Sequence, residues 1–320
     1  MKRGKKLIFL LAVLIVLTGV TSICLRLNPD DLDDEEEEGT VILSIDSGDV
    51  TEISWTIEGE QLEFMRSEDG WTYAKDSEFP VNTAALELVL SALNEITSSK
   101  TIEAVTDMSE YGLDAPAYII TVDETETYEI LIGNETSMGG EYYLSIGDGN
   151  VYLVDSSVPE SFSSDLYTLV QKETLPDMTE IQQFTIEGAD CQMALVYTPN
   201  DDDDDEVWFL KQENEYTAVD TSLTENFMSY ITGLVWSDCV NYHADETALA
   251  AYGLDEPSLR VTVIYGEDEE AFVLEIGNTE DTYSYARISG SDMVYLIDAS
   301  IGEAMESLTL EELQLDTAEE

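Results

Sequence analysis

An α+β fold built as two tandem homologous units is predicted by three observations on the amino-acid sequence. The hexapeptide YGLDAP at Tyr111–Pro116 returns almost unchanged as YGLDEP at Tyr252–Pro257, with matching segments before and after it in the same order. Strand-like runs rich in Val, Ile, Thr and aromatics follow one another through short turns, which favours antiparallel pairing over the parallel sheet of nucleotide-binding folds. Each half also carries one longer amphipathic segment, so helices are expected to pack on one face of each sheet.

The chain begins MKRGKK and continues into an apolar run, Leu7–Leu25, that carries no charge. A helix rising about 1.5 Å per residue over that run roughly matches a bilayer core of about 30 Å. Lys2, Arg3, Lys5 and Lys6 precede it and an acidic run follows, which places the amino end in the cytoplasm and the rest outside. A retained anchor is the favoured reading. A cleaved signal peptide stays open because Val20 and Ser22 loosely fit a cleavage pattern, and a lipidated Cys24 stays open although Thr21, Ser22 and Ile23 lack the small residue expected before it. All three readings export the bulk of the chain.

The organisation read from this is a basic end over 1–6, an anchor over 7–27, an acidic linker over 28–40, one unit over 41–174, a second over 175–313 and an acidic tail over 314–320. The hydrophobic fraction of 43% supplies material for real cores. Against 12 Lys and Arg stand 70 Asp and Glu, a net charge of −58. Such a surface repels phosphate backbones, so nucleic acid is excluded as a partner.

In the first unit three strands are expected at Thr51–Ile57, Gln61–Arg66 and Trp71–Lys75. They answer to a second set in which IQQFTIEG, ending at Gly188, matches ISWTIEG, ending at Gly59, and Trp208 matches Trp71. A helix follows, its apolar face drawn from Leu86, Val89, Leu90, Leu93 and Ile96 behind the cap Asn82. Its counterpart carries Leu223, Phe227, Ile231 and Leu234, with Ser222 and Glu225 spaced as a capping box.

The hexapeptides come next. Thr106–Tyr111 and Asp245–Tyr252 read as short helices capped by Asp107 and Asp245. Gly112 and Gly253 sit where a left-handed residue closes a helix, Leu113 and Leu254 fold back on the last turn, and Pro116 and Pro257 forbid its continuation. Four strands complete each unit: Ala117–Val122, Tyr128–Ile132, Tyr142–Ile146 and Val151–Val154, matched by Leu259–Ile264, Phe272–Ile276, Tyr285–Ile288 and Val294–Ile297. Asp148-Gly149 marks a hairpin turn. Final helices are expected near Pro159–Val170 and Ile301–Leu308, giving each unit about seven strands and two or three helices.

A cationic, membrane-spanning start, tandem GLDxP motifs, an IGN turn ending at Asn134 and again at Asn278, and the strands VYLVD and VYLID together resemble the bacterial family catalogued as domain of unknown function 4340. The resemblance covers Val41 to Leu313. It implies an exported, membrane-tethered protein whose gene neighbours encode an ABC-type export system, and it supplies no catalytic residues to carry over.

Candidate chemistry is sparse. His243 is the sole histidine, so a zinc site of several imidazoles is excluded, and a surface or capping role outweighs that of a general base. Cys191 and Cys239 fall in the second unit and are either a disulfide or two separate buried thiols. IGDGN lies in a hairpin and not in a phosphate-binding loop. The acidic run Asp30–Glu38 and the aspartates Asp201–Asp205 lack the spacing of a calcium loop and read as a spacer and a hairpin loop. Tyr142, Tyr143, Tyr283 and Tyr285, with Trp55, Trp71, Trp208 and Trp236, read chiefly as packing residues. No catalytic, metal or cofactor site is assigned. The expectation is a membrane-anchored, extracytoplasmic binding or scaffolding protein, an accessory of the ABC-type complex that the family resemblance implies. A carboxylate-pair hydrolase of the cell envelope and a wall-polysaccharide-binding module are the alternatives.

Overall fold

The computed structural model describes residues 39–57, 59–188, 192–198, 207–212, 215–309 and 313. The apolar run Leu7–Leu25, the acidic run Asp30–Glu38, Cys191, the aspartates Asp201–Asp205 and the tail over 314–320 lie outside the described residues. Among the described residues no helix is long and apolar enough to cross a membrane.

A ribbon of β1 (Thr40–Leu43) and β5 (Ile96–Ser98) stands beside the first large sheet. That sheet has 8 strands: β2 (Glu52–Ile57), β3 (Glu60–Ser67), β4 (Gly70–Tyr73), β6 (Lys100–Ile102), β7 (Tyr118–Asp123), β8 (Thr127–Glu135), β9 (Glu141–Ser145) and β10 (Val151–Asp155). Their order is β4-β3-β2-β7-β8-β9-β10-β6. The second sheet has 9: β11 (Ile181–Gly188), β12 (Gln192–Thr198), β13 (Val207–Gln212), β14 (Glu215–Ala218), β15 (Cys239–Asn241), β16 (Leu259–Tyr265), β17 (Glu270–Glu280), β18 (Tyr283–Ile288) and β19 (Val294–Asp298). It repeats the plan as β14-β13-β12-β11-β16-β17-β18-β19-β15, and every ladder in both sheets is antiparallel.

The α+β class holds, but the expectation of about seven strands per unit is too low. β6 and β15 are too short to show alternation in sequence, and each is defined by its partner, β10 or β19, at the sheet edge. β14 adds a further edge strand to the second sheet through its hairpin with β13.

Helices α1 (Thr83–Ser91), α2 (Ser157–Ser161), α3 (Thr221–Thr232), α4 (Glu246–Ala251) and α5 (Ala299–Ser307) complete the elements, with 3-10 turns at Met108–Tyr111 and Leu166–Leu169. Asn82 caps α1 as expected, its Oδ1 accepting the Ala85 N–H at 3.1 Å. Two details of the helix readings are corrected. α1 stops at Ser91, and Ile96 is buried from β5 because the chain turns back to pair with β1. α3 is capped by Asp220, whose Oδ1 accepts the Leu223 N–H at 2.9 Å, so Ser222 lies inside the helix and makes no capping box. Starting the helix there turns Leu223 outward, 47% exposed, and gives the buried face to Thr224, Phe227, Met228 and Ile231.

Alternation sets the inner sheet faces: Leu259, Val261 and Val263 of β16 are buried, as are Met193 and Leu195 of β12. One apolar cluster runs through both repeats, from Ile45 and Trp55 to Met305 and Leu313. Trp55 anchors the first repeat, stacking on Phe64 at 5.5 Å and meeting Phe162 edge-on at 5.8 Å. Each such buried side chain contributes about 1.5–3 kcal/mol relative to exposure.

The hexapeptide ends a helix in both repeats. Gly112 and Gly253 have φ of 73° and 71°, and the N–H groups of Leu113 and Leu254 close on Met108 O and Leu249 O at 3.1 and 2.8 Å. Its partner is IGN, which is not the turn expected but a bulge within β8 and β17, where the register shifts between Ile132 and Glu135 and between Ile276 and Thr279. A Cβ on Gly133 or Gly277 would lie 2.2 Å from the carbonyl oxygen of Tyr111 or Tyr252, and Asn134 and Asn278 press on Gly112 and Gly253 from the other side. In the second repeat Asn278 also donates from N to Tyr252 O at 2.8 Å and from Nδ2 to Ala251 O at 3.1 Å. The motif tyrosines pack on strand tyrosines, Tyr111 on Tyr143 at 5.0 Å and Tyr252 on Tyr285 at 4.7 Å. YGLDxP and IGN are therefore two halves of one structural joint, used twice.

Candidate functional site

The second repeat opens a cleft of ≈ 750 Å³ between α3 and the leading strands of its sheet. Strand alternation turns Tyr197 of β12 and Trp208 of β13 to the same side, where their rings meet at 5.6 Å and 60°. α3 adds Glu225, Met228 and Thr232, spaced along one helix face. The approach to β11 adds Met178 and Glu180, the latter held at φ 54°. The lining combines aromatic rings, soft thioethers and two carboxylates, which suits recognition of a cation with apolar surroundings. Among the described residues no histidine, cysteine, lysine or arginine lines it.

Of the residues singled out in the sequence, Trp208 and Glu225 line this cleft, Glu225 in a place its capping-box reading did not suggest. His243 is exposed, its Nδ1 3.6 Å from Asp292 Oδ2, and it approaches no nucleophile. Cys239 is a free, buried thiol on β15, and burial pushes its pKa from 9.0 up to about 11. All four tryptophans, Trp55, Trp71, Trp208 and Trp236, are buried and pack in the core, and Trp208 also lines the cleft. Tyr283, 44% exposed, is not joined by any of them in a row of surface rings. Among the described residues no group of His, Cys, Asp and Glu is arranged to hold a metal ion.

Glu275 is a buried carboxylate, 2% exposed, on β17 between Arg260 of β16 and Arg287 of β18. It accepts from Arg260 Nη2 and Arg287 Nε, both at 2.7 Å, and from Ser289 Oγ at 2.9 Å. Burial alone would raise its pKa, but these three hydrogen bonds and the Arg287 charge outweigh it and hold the group below the ordinary 4.5. Arg287 Nη2 also donates to Leu254 O at 3.2 Å, tying the hexapeptide to the sheet. The first repeat places Ile119, Leu131 and Ser145 at the same ladder positions. An ion cluster that an uncharged set replaces in the sister repeat is a structural device.

The two repeats meet in a polar and aromatic junction. Lys172 Nζ donates to the carbonyl oxygens of Ser237 and, at 3.4 Å, Trp236. Trp236 Nε1 donates to Glu173 O at 3.0 Å, and its ring stacks on Tyr295 at 4.3 Å. Glu173 Oε2 accepts from Ser291 Oγ at 2.9 Å and Tyr295 OH at 3.2 Å. Across the other side Tyr242 donates to Asp76 Oδ2 at 2.7 Å and meets Phe79 edge-on at 5.0 Å. Sequence reading missed this junction because its partners lie in different repeats and neither repeat contains the whole pattern.

Fold and site together define a tandem α+β repeat protein with an open cleft beside α3 of its second repeat and a built joint between repeats. The model of the family described as Domain of unknown function (DUF4340) matches residues 71–248 and 208–314, and the chain belongs to that family. Both matches begin at the corresponding tryptophans, Trp71 and Trp208. No curated protein and no solved structure matches the chain.

Proposed function

We propose that this protein is a membrane-anchored, extracytoplasmic binding and scaffolding module that serves as an accessory of an ABC-type transport complex. The observation that carries the reading is the inter-repeat junction. Lys172, Glu173, Trp236 and Tyr295 bind the repeats into one body with a shared apolar core, which suits presenting two linked surfaces in a fixed relation. The Leu7–Leu25 run would hold that body near the membrane and raise its effective concentration for a neighbouring complex. The transport partner rests on the family resemblance.

Crosslinking of the full-length protein in its native membrane, mild-detergent purification and mass spectrometry of the copurifying chains test the proposal. Recovery of permease or auxiliary transport subunits is the expected result. Recovery of the protein alone, or with glycan fragments, would refute the transport assignment and direct attention to wall binding.

A further inference from the structure

The first repeat contains a filled version of the cleft that stands open in the second. Arg66 of β3 lies opposite Trp71 of β4, with its guanidinium carbon 4.8 Å from the ring centroid. Its Nη2 is 3.2 Å from Glu87 Oε1 on α1, and its Nη1 donates to Gly48 O at 2.7 Å and Ser47 O at 3.3 Å. An aromatic floor, a carboxylate wall and a rim of carbonyl oxygens thus make a socket for a guanidinium.

Strand register locates the equivalent positions in the second repeat. Val122 pairs with Ile53 and Ile53 with Phe64, just as Val263 pairs with Phe184 and Phe184 with Leu195. Phe64 and Leu195 are therefore counterparts, and the ladders beyond them equate Arg66 with Tyr197 and Trp71 with Trp208. Glu87 and Glu225 stand equally far past the helix caps Asn82 and Asp220. Met178 and Glu180 lie in the segment leading into β11, as the rim residues Ser47 and Gly48 lie in the segment leading into β2. The second repeat keeps the indole and the helix carboxylate and replaces the arginine with a second aromatic. The shorter reach of Tyr197 leaves the cleft open between these rings and α3, and among the described residues neither Glu225 nor Glu180 forms an ion pair with a lysine or arginine.

We propose that this cleft binds the arginine side chain of a partner polypeptide, which completes the socket from outside as Arg66 completes it from within. A guanidinium is favoured over an ammonium because its plane can stack on one aromatic face while its N–H fork meets Glu225. The net charge of −58 steers cationic segments toward the surface. A single arginine at a partly open site binds weakly, on the order of millimolar, so the cleft reads one residue of a longer basic segment. The inference stands apart from the identity of any transport partner.

The test uses the full chain in detergent micelles with its tryptophan indoles labelled with ¹⁵N, and the Trp208 resonance is assigned with Trp208→Phe. N-acetyl-arginine amide is titrated against N-acetyl-citrulline amide, which keeps the shape without the charge, and N-acetyl-lysine amide. The expected result is a saturable shift at Trp208 with arginine and at least tenfold weaker binding of both analogues. Glu225→Gln, at an exposed position, should weaken arginine tenfold or more, and Tyr197→Arg should abolish binding by filling the socket in cis. Arg66→Ala should open a second site that moves the Trp71 resonance. Equal binding of citrulline or lysine, indifference to Glu225→Gln, or no saturable shift at Trp208 would overturn the proposal.

Discussion

Replacing Gly277 with alanine tests whether the IGN bulge and the hexapeptide are one joint. Gly277 does not adopt a positive φ, so alanine meets no backbone strain there and any cost comes from contact. The added Cβ would stand 2.2 Å from Tyr252 O and 3.0 Å from the Gly253 carbonyl carbon. Ordinary contact distances are about 3.5 Å, so one segment must retreat by roughly 1 Å. That retreat breaks the Asn278 N to Tyr252 O bond of 2.8 Å and strains the Asn278 Nδ2 to Ala251 O bond of 3.1 Å. With about 1 kcal/mol for each bond and about 1–3 kcal/mol for overpacking, the loss is about 3–5 kcal/mol. For a domain stable by about 5–15 kcal/mol, and with a urea dependence of about 2–3 kcal/mol/M, the unfolding midpoint should fall by about 1 M or more. Gly290→Ala is the control: φ is 85° and nothing lies within 4 Å of its Cβ, so only left-handed strain of about 1–2 kcal/mol applies. A Gly277→Ala midpoint no lower than that of the control would refute the joint.

Three further outcomes are expected. Glu275→Gln should cost about 1.5–3 kcal/mol, chiefly by leaving the largely buried Arg287 uncompensated, whereas the combined change Arg260→Ile, Glu275→Leu and Arg287→Ser, the first repeat's set, should cost less in urea unfolding. Because the Glu275 pKa is lowered from 4.5, its contribution is present above that pH and is lost as pH falls through the folded value; acid titration of Glu275→Gln should lack that loss. At the junction, the hydrogen bond to Asp76 and then burial push Tyr242 from 10.0 up to about 12, so its contribution is full below pH 10 and lost as pH rises through about 12; alkaline unfolding of Tyr242→Phe should lose that step. Cys239, with its thiol raised by burial to about 11, should resist iodoacetamide at pH 8 in the native protein and react on unfolding, and rapid native alkylation would contradict its placement.

Much of the fold was legible because its signals are local. Asp107, Asp245, Gly112 and Gly253 each act on residues within one turn, and the structure places all four in the expected roles. The likeness of ISWTIEG to IQQFTIEG misled in one respect. Ladder register makes Ile53 the counterpart of Phe184 and Trp55 that of Ile186, two positions from where the shared TIEG would put them, because the β11–β12 connection is longer than the β2–β3 turn. The likeness of local sequence recorded turn chemistry, while register is set across the sheet. For the same reason the cleft was not legible: Tyr197, Trp208 and Glu225 lie on three elements, and only the ladders and the helix caps bring them together. The Asp220 cap was missed because Ser222 and Glu225 offered a stronger local pattern two residues on.

The strand order has a consequence for how the chain reaches this state. β4-β3-β2 and β7-β8-β9-β10 each form from neighbouring hairpins, but the seam between β2 and β7 joins Ile53 to Val122, and that between β11 and β16 joins Phe184 to Val263. Closing those seams demands the largest loops and should limit refolding, so core truncations at Ile53 or Phe184 should slow folding while changes in the β18–β19 hairpin mainly speed unfolding. A chain made from its amino end therefore carries β2 as a bare, apolar strand edge until Tyr118–Asp123 has emerged, an interval in which a neighbouring nascent chain could pair with it.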